Sequence, residues 1–261
     1  MQSGGNNRVI LATDGDFNVG ASTDGELEKL ISDKASKGID RTVIGFGMGN
    51  TRDHTMETLA KNGNGTAAYI DTINEARKVL VEEFGGTMRT VAYDAKAKVV
   101  FNAESVDKYR LIGYENSMLT SDQYNNSKTQ AGEIGSGHTV TAVYEVALKK
   151  GVADGASVAE LEVAYKKAPL TDNENVENPE YKVNASITLD SSYVQTDDDK
   201  FVACVVEYGL LLRESKYKSD ATFADVIARL AALKDYIATD CFKAEFAEVV
   251  GKAATLYGAK N

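Results

Sequence analysis

The feature that most constrains this chain is a change of hydrophobic period near residue 88. Before it, apolar residues come as short unbroken runs, Val9-Ile-Leu-Ala12 first among them, separated by stretches in which they recur every three or four positions. Unbroken runs suit parallel strands covered on both faces, and the stretches between them suit amphipathic helices. Strands at about 8–12, 41–46 and 66–70, each followed by a helix, predict a parallel sheet with right-handed crossovers. After residue 88 the period is two: Val91, Tyr93, Ala95, Ala97, Val99 and Phe101 alternate with mostly polar neighbours. So do Val140 to Leu148, Leu161 to Tyr165 and Val183 to Leu189. With 109–115 as a further strand, this predicts an antiparallel sheet or sandwich of at least five strands, separated by surface loops at 116–137 and 169–180. From residue 196 the helical period returns.

Punctuation supports these elements. Thr23 and Glu26 make a capping-box pair for a helix at 24–37, with Gly38 as its end, and Asp53 caps a short helix carrying Met56, Leu59 and Ala60. Thr72 and Glu75 start a helix at 73–84 with the apolar stripe Ile73, Ala76, Val79 and Leu80, ended by Gly85-Gly86. Thr196-Asp-Asp-Asp199 caps a helix through 201–214 that is apolar nearly all round and is expected to be buried. Two amphipathic helices follow, one with Phe223, Val226, Ile227, Leu230 and Leu233, the other with Phe242, Phe246, Val249, Val250 and Ala253. They are expected to cover one side of the β module. The fold class is thus α/β plus β plus α, with domains at 1–88 and 89–261, the second divided into a sheet (89–190) and helices (197–258).

Chemistry is expected where the first strand ends. Open α/β sheets bind ligands beyond the carboxyl ends of their strands, which places the Asp14 carboxylate to face a ligand or cation. Asp16 and Asn18, in the same loop, add oxygen ligands of the kind Mg²⁺ or Ca²⁺ prefers.

At Val9-Ile-Leu-Ala-Thr-Asp-Gly15 the chain resembles the fourth strand and third metal loop of a von Willebrand factor type A domain. The likeness continues through Thr42-Val-Ile-Gly-Phe-Gly-Met-Gly-Asn50, His54-Thr-Met-Glu-Thr-Leu-Ala60 and Gly65-Thr-Ala-Ala-Tyr-Ile-Asp71. Tyr109-Arg-Leu-Ile-Gly-Tyr-Glu-Asn116 and Ala131-Gly-Glu-Ile-Gly-Ser-Gly-His-Thr-Val-Thr141 resemble the C-terminal domain of unknown function in bacterial members of that class. The resemblance implies a truncated three-stranded, Rossmann-like type A sheet followed by a β-sandwich-like module and helices. In a complete domain, Mg²⁺ or Mn²⁺ is held by side-chain oxygens and a partner's carboxylate completes the octahedron. The metal site also needs an Asp-x-Ser-x-Ser loop, which occurs nowhere in this sequence, so Asp14 alone carries over as a metal ligand. The chain reads as the second half of a type A domain, and Mg²⁺ or Mn²⁺ is expected to bind it weakly or not at all. The implied function is metal-dependent protein binding by an adhesion or scaffold protein, and the implied setting is exported, in the bacterial cell envelope or periplasm.

In the complete family fold the fourth strand pairs on both sides. Here its edge at Val9 to Ala12 is expected to be open, and open apolar edges template dimers or aggregates.

Composition sets the outer bounds. The 261 residues, 43% hydrophobic and 26% charged with two prolines, describe an ordinary globular chain. A net charge of −10 and the lack of a Lys/Arg run argue against nucleic acid and anionic membrane surfaces. No stretch is long and apolar enough for a transmembrane helix. Cys204 and Cys241 read as small buried thiols rather than a disulfide. Catalytic signatures are lacking. His54 reads as a helix-start residue and His138 as a strand-start residue, outside any metal-binding motif. Glu115 and Glu133 read as turn-closing acceptors for backbone amides. Two other readings stay open: a metal-independent structural or assembly domain, and an unrecognised hydrolase using Glu133 and His138.

Overall fold

The apolar run at the start of the chain forms β1 (Asn7–Thr13), which pairs in parallel with β2 (Ile39–Phe46), itself parallel to β3 (Ala67–Ile70). The computed structural model describes residues 7–13, 29, 39–46, 67–114, 117–126, 131–167 and 178–258. Asp14, Asp16, Asn18, His54, Glu115 and the expected helices at 24–37 (except Lys29, which is helical) and after Asp53 lie outside the described residues. By its internal contacts the chain divides into Met1–Leu189 and Asp190–Asn261.

β2 lies between its two neighbours and is the buried strand: Thr42, Val43 and Ile44 are all nearly inaccessible, so both of its faces are covered. Ile44 packs with Ile70 and Val79, and Phe46, Ala68 and Ala76 close around them. Each fully buried aliphatic side chain here stabilises by about 1.5–3 kcal/mol. Unlike β2, β1 is not covered on both faces. Val9 is 47% and Ile10 40% exposed, and successive strand residues point to opposite faces, so apolar surface stays in solvent on both. Among the described residues β1 has a neighbour on one side only.

The helix expected at 73–84 is broken into three pieces. α1 (Ile73–Arg77) is capped by Thr72, whose hydroxyl accepts from the Glu75 amide at 3.2 Å. The Glu75 carboxylate bonds Lys78 Nζ at 3.2 Å. Lys78–Glu82 then winds as a π-helical turn, and α2 (Phe84–Met88) follows. The predicted stripe is only half right: Val79 and Ala76 face the core, but Ile73 is 83% and Leu80 41% exposed. Gly85-Gly86 does not end a helix; both glycines lie inside α2.

Next come β4 (Thr90–Phe101), β5 (Val106–Ile112), α3 (Ser121–Asn125), β6 (Gly132–Gly135), β7 (Val143–Leu148), β8 (Ser157–Lys166) and β9 (Glu180–Thr188). They build a four-stranded antiparallel sheet, ordered β6-β4-β8-β9, and a separate pair, β5-β7. Phe101 of β4 joins the two by stacking on Tyr109 at 4.1 Å and meeting Tyr144 edge-on at 5.3 Å. The expected loop at 116–137 therefore contains a helical turn and a strand. The second predicted strand of this module starts later than expected, so Val140 is 62% exposed and outside it.

Simple alternation misreads β4. In its first half the buried residues are Ala92, Asp94 and Lys96, whereas Val91 is 48% exposed. The cause is bulging. β4 carries an extra residue between Tyr93 and Lys96 against β8 and another between Ala92 and Ala95 against β6, and Asp94 sits at φ +50°. A bulge shifts the facing of every later side chain, so Val99 and Phe101 return to the more covered face. β9 also departs from expectation: all nine of its residues are exposed, Val183 and Ile187 included.

The second unit holds α4 (Asp197–Leu212), α5 (Phe223–Ala232), α6 (Lys234–Ile237) and α7 (Cys241–Gly258). Thr196 with Asp199 and Thr222 with Asp225 form capping boxes at the first two. The core is Cys204, Leu211, Val226, Leu230, Leu233, Ile237 and Val250. α4 is not buried all round, because Val205 and Leu212 are exposed. Both cysteines are free thiols, Cys204 buried as expected and Cys241 exposed, contrary to expectation.

Candidate functional site

β1 ends at Thr13, opposite Gly45 of β2, and so delivers the chain to the carboxyl edge of the parallel sheet one residue before Asp14. The predicted ligands Asp14, Asp16 and Asn18 follow, outside the described residues. Among the described residues no group of three or more His, Cys, Asp or Glu could hold a metal ion.

The structure brings together a polar cluster at the other end of β1, roughly 17 Å of strand from Thr13. Arg8, with its side chain 4% exposed, donates to Thr42 Oγ1 at 3.3 Å, to Thr90 Oγ1 at 3.1 Å and to Glu133 Oε2 at 3.4 Å. Thr90 Oγ1 in turn donates to the same Glu133 oxygen at 2.9 Å. One guanidinium thus ties β1 and β2 to β4 and β6. A charge buried this deeply is tolerable only when paired and hydrogen-bonded, which this arrangement provides. Glu133 Oε2 is thus an acceptor for two side chains, those of Arg8 and Thr90. His138 is exposed, bonds Gly135 O through its amide at 3.1 Å and does not open a strand, since β7 begins only at Val143.

The glycines of the same motif have a backbone purpose. A Cβ on Gly135 would lie 1.9 Å from the Gly86 carbonyl oxygen, so α2 and β6 touch backbone to backbone there. Gly137 turns the chain at φ +80°. In the other quoted motif, Gly113 turns at φ +80° and the Tyr114 hydroxyl donates to Thr141 O at 2.8 Å.

Beneath the bulge, Lys166 Nζ bonds Asp94 Oδ2 at 2.9 Å, both side chains being 6% exposed, while Asp94 Oδ1 accepts from the Ala131 amide at 3.2 Å. Lys96 donates to the carbonyls of Tyr124 and Asn126, at 3.4 and 3.1 Å, where α3 ends. Glu162 gathers the Tyr124 hydroxyl at 2.8 Å, Lys182 at 3.1 Å and Lys98 at 3.3 Å. The Tyr124 hydrogen bond, then that of Lys182, lowers the Glu162 carboxyl from its usual 4.5 to about 2. Burial first, then Glu162, pushes the Tyr124 phenol well above its ordinary range. Sequence reading missed these groups. Their only signal was charged residues, Asp94, Lys96 and Lys166, standing inside strand patterns.

Comparison with known proteins bears on the same segments. The family model described as "Uncharacterized protein YfbK, C-terminal" matches residues 86–256. The Escherichia coli (strain K12) protein "Uncharacterized protein YfbK" is 33% identical over 241 residues, covering 85% of this chain and 40% of the relative. The chain therefore spans about two fifths of that relative's length. Among solved structures, a von Willebrand factor type A protein from Catenulispora acidiphila superposes with a TM-score of 0.39 at 12% identity, over 88% of this chain and 56% of that one. The human COPII-coat protein Sec24c gives 0.42 at 13% identity, over 87% and 33%. Both scores are too low to establish a common fold. The matched segment begins in α2 and contains the Glu133 motif, the bulged sheet and the four C-terminal helices, well over half of the residues, and on that ground the chain belongs to the YfbK C-terminal family.

Proposed function

We propose that this chain is a non-enzymatic protein-binding module, the C-terminal part of a metal-dependent adhesion or scaffold protein of the von Willebrand factor type A class, whose first metal loop lies upstream in a longer protein. The observation that carries the reading is the parallel β1–β2 pairing, which ends one residue before Asp14 at the sheet edge where α/β folds hold ligands. Asp14 is the metal-ligating carboxylate, with Asp16 and Asn18 beside it in sequence. One carboxylate holds Mg²⁺ or Mn²⁺ weakly, so a partner's carboxylate and the upstream loop complete the site. The setting is the bacterial cell envelope.

The test is capture of partners from a lysate of the source organism on the immobilised native protein, upstream loop included, in millimolar Mg²⁺ and again in chelator, beside the same protein carrying Asp14→Ala. Partners recovered in Mg²⁺ and lost in both other conditions support metal-dependent recognition. Capture that ignores chelator and Asp14→Ala favours the second reading, a metal-independent assembly domain. That reading has its own observation: in one motif, Glu133 of β6 is tied to Arg8 of β1 and Gly135 packs backbone to backbone on Gly86 of α2.

A further inference from the structure

β9 closes the four-stranded sheet, and among the described residues its outer edge has no strand beside it. All nine residues are exposed, with Tyr181 38%, Val183 57% and Ile187 45%. Protein edges are ordinarily protected by a proline, a bulge or an outward lysine. β9 contains no proline, and the one register shift in its pairing falls at its end, between Ser157 and Ala159 of β8. Its one lysine, Lys182, is turned onto Glu162 of β8 at 3.1 Å and toward Glu180 at 3.9 Å, so its charge is already satisfied.

We propose that β9 is a self-association edge, at which two copies of this chain pair antiparallel about a two-fold axis through Asn184. In that register Val183 of one copy faces Ala185 of the other, Tyr181 faces Ile187, Lys182 faces Ser186 and Glu180 faces Thr188. Apolar residues meet apolar, polar meet polar, and no like charges are opposed, which is the condition for favourable cross-strand pairs. The two sheets become one of eight strands. The exposed Tyr181, Val183 and Ile187 become the middle of a continuous apolar face, with Leu161 and Val163 of β8 beside them. An isologous contact of this kind closes at two copies and does not propagate.

Light scattering on the whole chain, over a wide concentration range, is expected to give twice the 28.1 kDa of one copy. Val183→Lys with Ile187→Lys is expected to return it to one copy with an unchanged far-ultraviolet spectrum. Val9→Lys, on the open β1 edge, is expected to leave the dimer intact. An independent check uses Asn184→Cys in a Cys241→Ser background. Directly opposed residues of an antiparallel pair lie within disulfide reach, so mild oxidation is expected to yield a covalent dimer, whereas Lys182→Cys is expected to yield none. A single-copy mass at every concentration, a dimer lost in Val9→Lys but kept in the β9 variant, or failure of the Asn184→Cys variant to cross-link would each overturn the proposal.

Discussion

Arg8 is the residue on which the first unit turns. It opens an apolar strand, yet its side chain is buried and meets Thr42, Thr90 and Glu133, the last of them 125 positions away. Breaking a buried pair leaves the other charge uncompensated, so Arg8→Met is expected to destabilise the unit by about 3 kcal/mol, read by urea denaturation. Gly135→Ala is expected to act through the backbone. Its new carbon would stand 1.9 Å from Gly86 O, and the enforced shift costs about 1–3 kcal/mol. Glu162 gives a pH signature. Its carboxyl is lowered to about 2 in the fold, so its contribution to stability is present above the usual 4.5 and disappears as pH falls through about 2. Glu162→Gln should flatten the acid limb of a stability–pH curve over that window; an unchanged limb would mean that its carboxylate gains nothing from Tyr124 and Lys182. None of these roles was legible beforehand, because each depends on a partner brought near by pairing between distant strands.

Elements were easier to foresee than their surroundings. The three parallel strands, the alternating strands after residue 88 and the Thr196 cap were all visible, because each is written in local periodicity or in a side chain reaching its own backbone. Burial was not. The bulge at Asp94 reverses which residues of β4 face inward, β9 lies open at the sheet edge, and a π-helical turn divides a helix whose stripe looked continuous. The second capping box went unread although Thr222 and Asp225 stand at the required spacing. Its worth is measurable: Thr222→Ala is expected to cost the helical unit about 1 kcal/mol, seen as a lower thermal midpoint. An unchanged midpoint would mean that packing of Val226 and Leu230 alone holds that end of α5.

For the whole molecule, the family relationship links the chain to a longer protein of E. coli, of which it covers only 40%. The proposed function makes a parallel claim for this chain: β1 is an interior strand of a larger parallel sheet, and Asp14 needs ligands from an upstream loop. Both were expected from the sequence through its resemblance to type A domains, and the structure adds the exposure of Val9 and Ile10 on β1. The most direct measurement is the intact mass and N-terminal peptide of the protein isolated from its native source. The expected result is a chain heavier than 28.1 kDa that carries an Asp-x-Ser-x-Ser segment upstream of Arg8. A native chain whose first residue is Met1 would contradict it and leave Asp14 without the partners that metal-dependent binding requires.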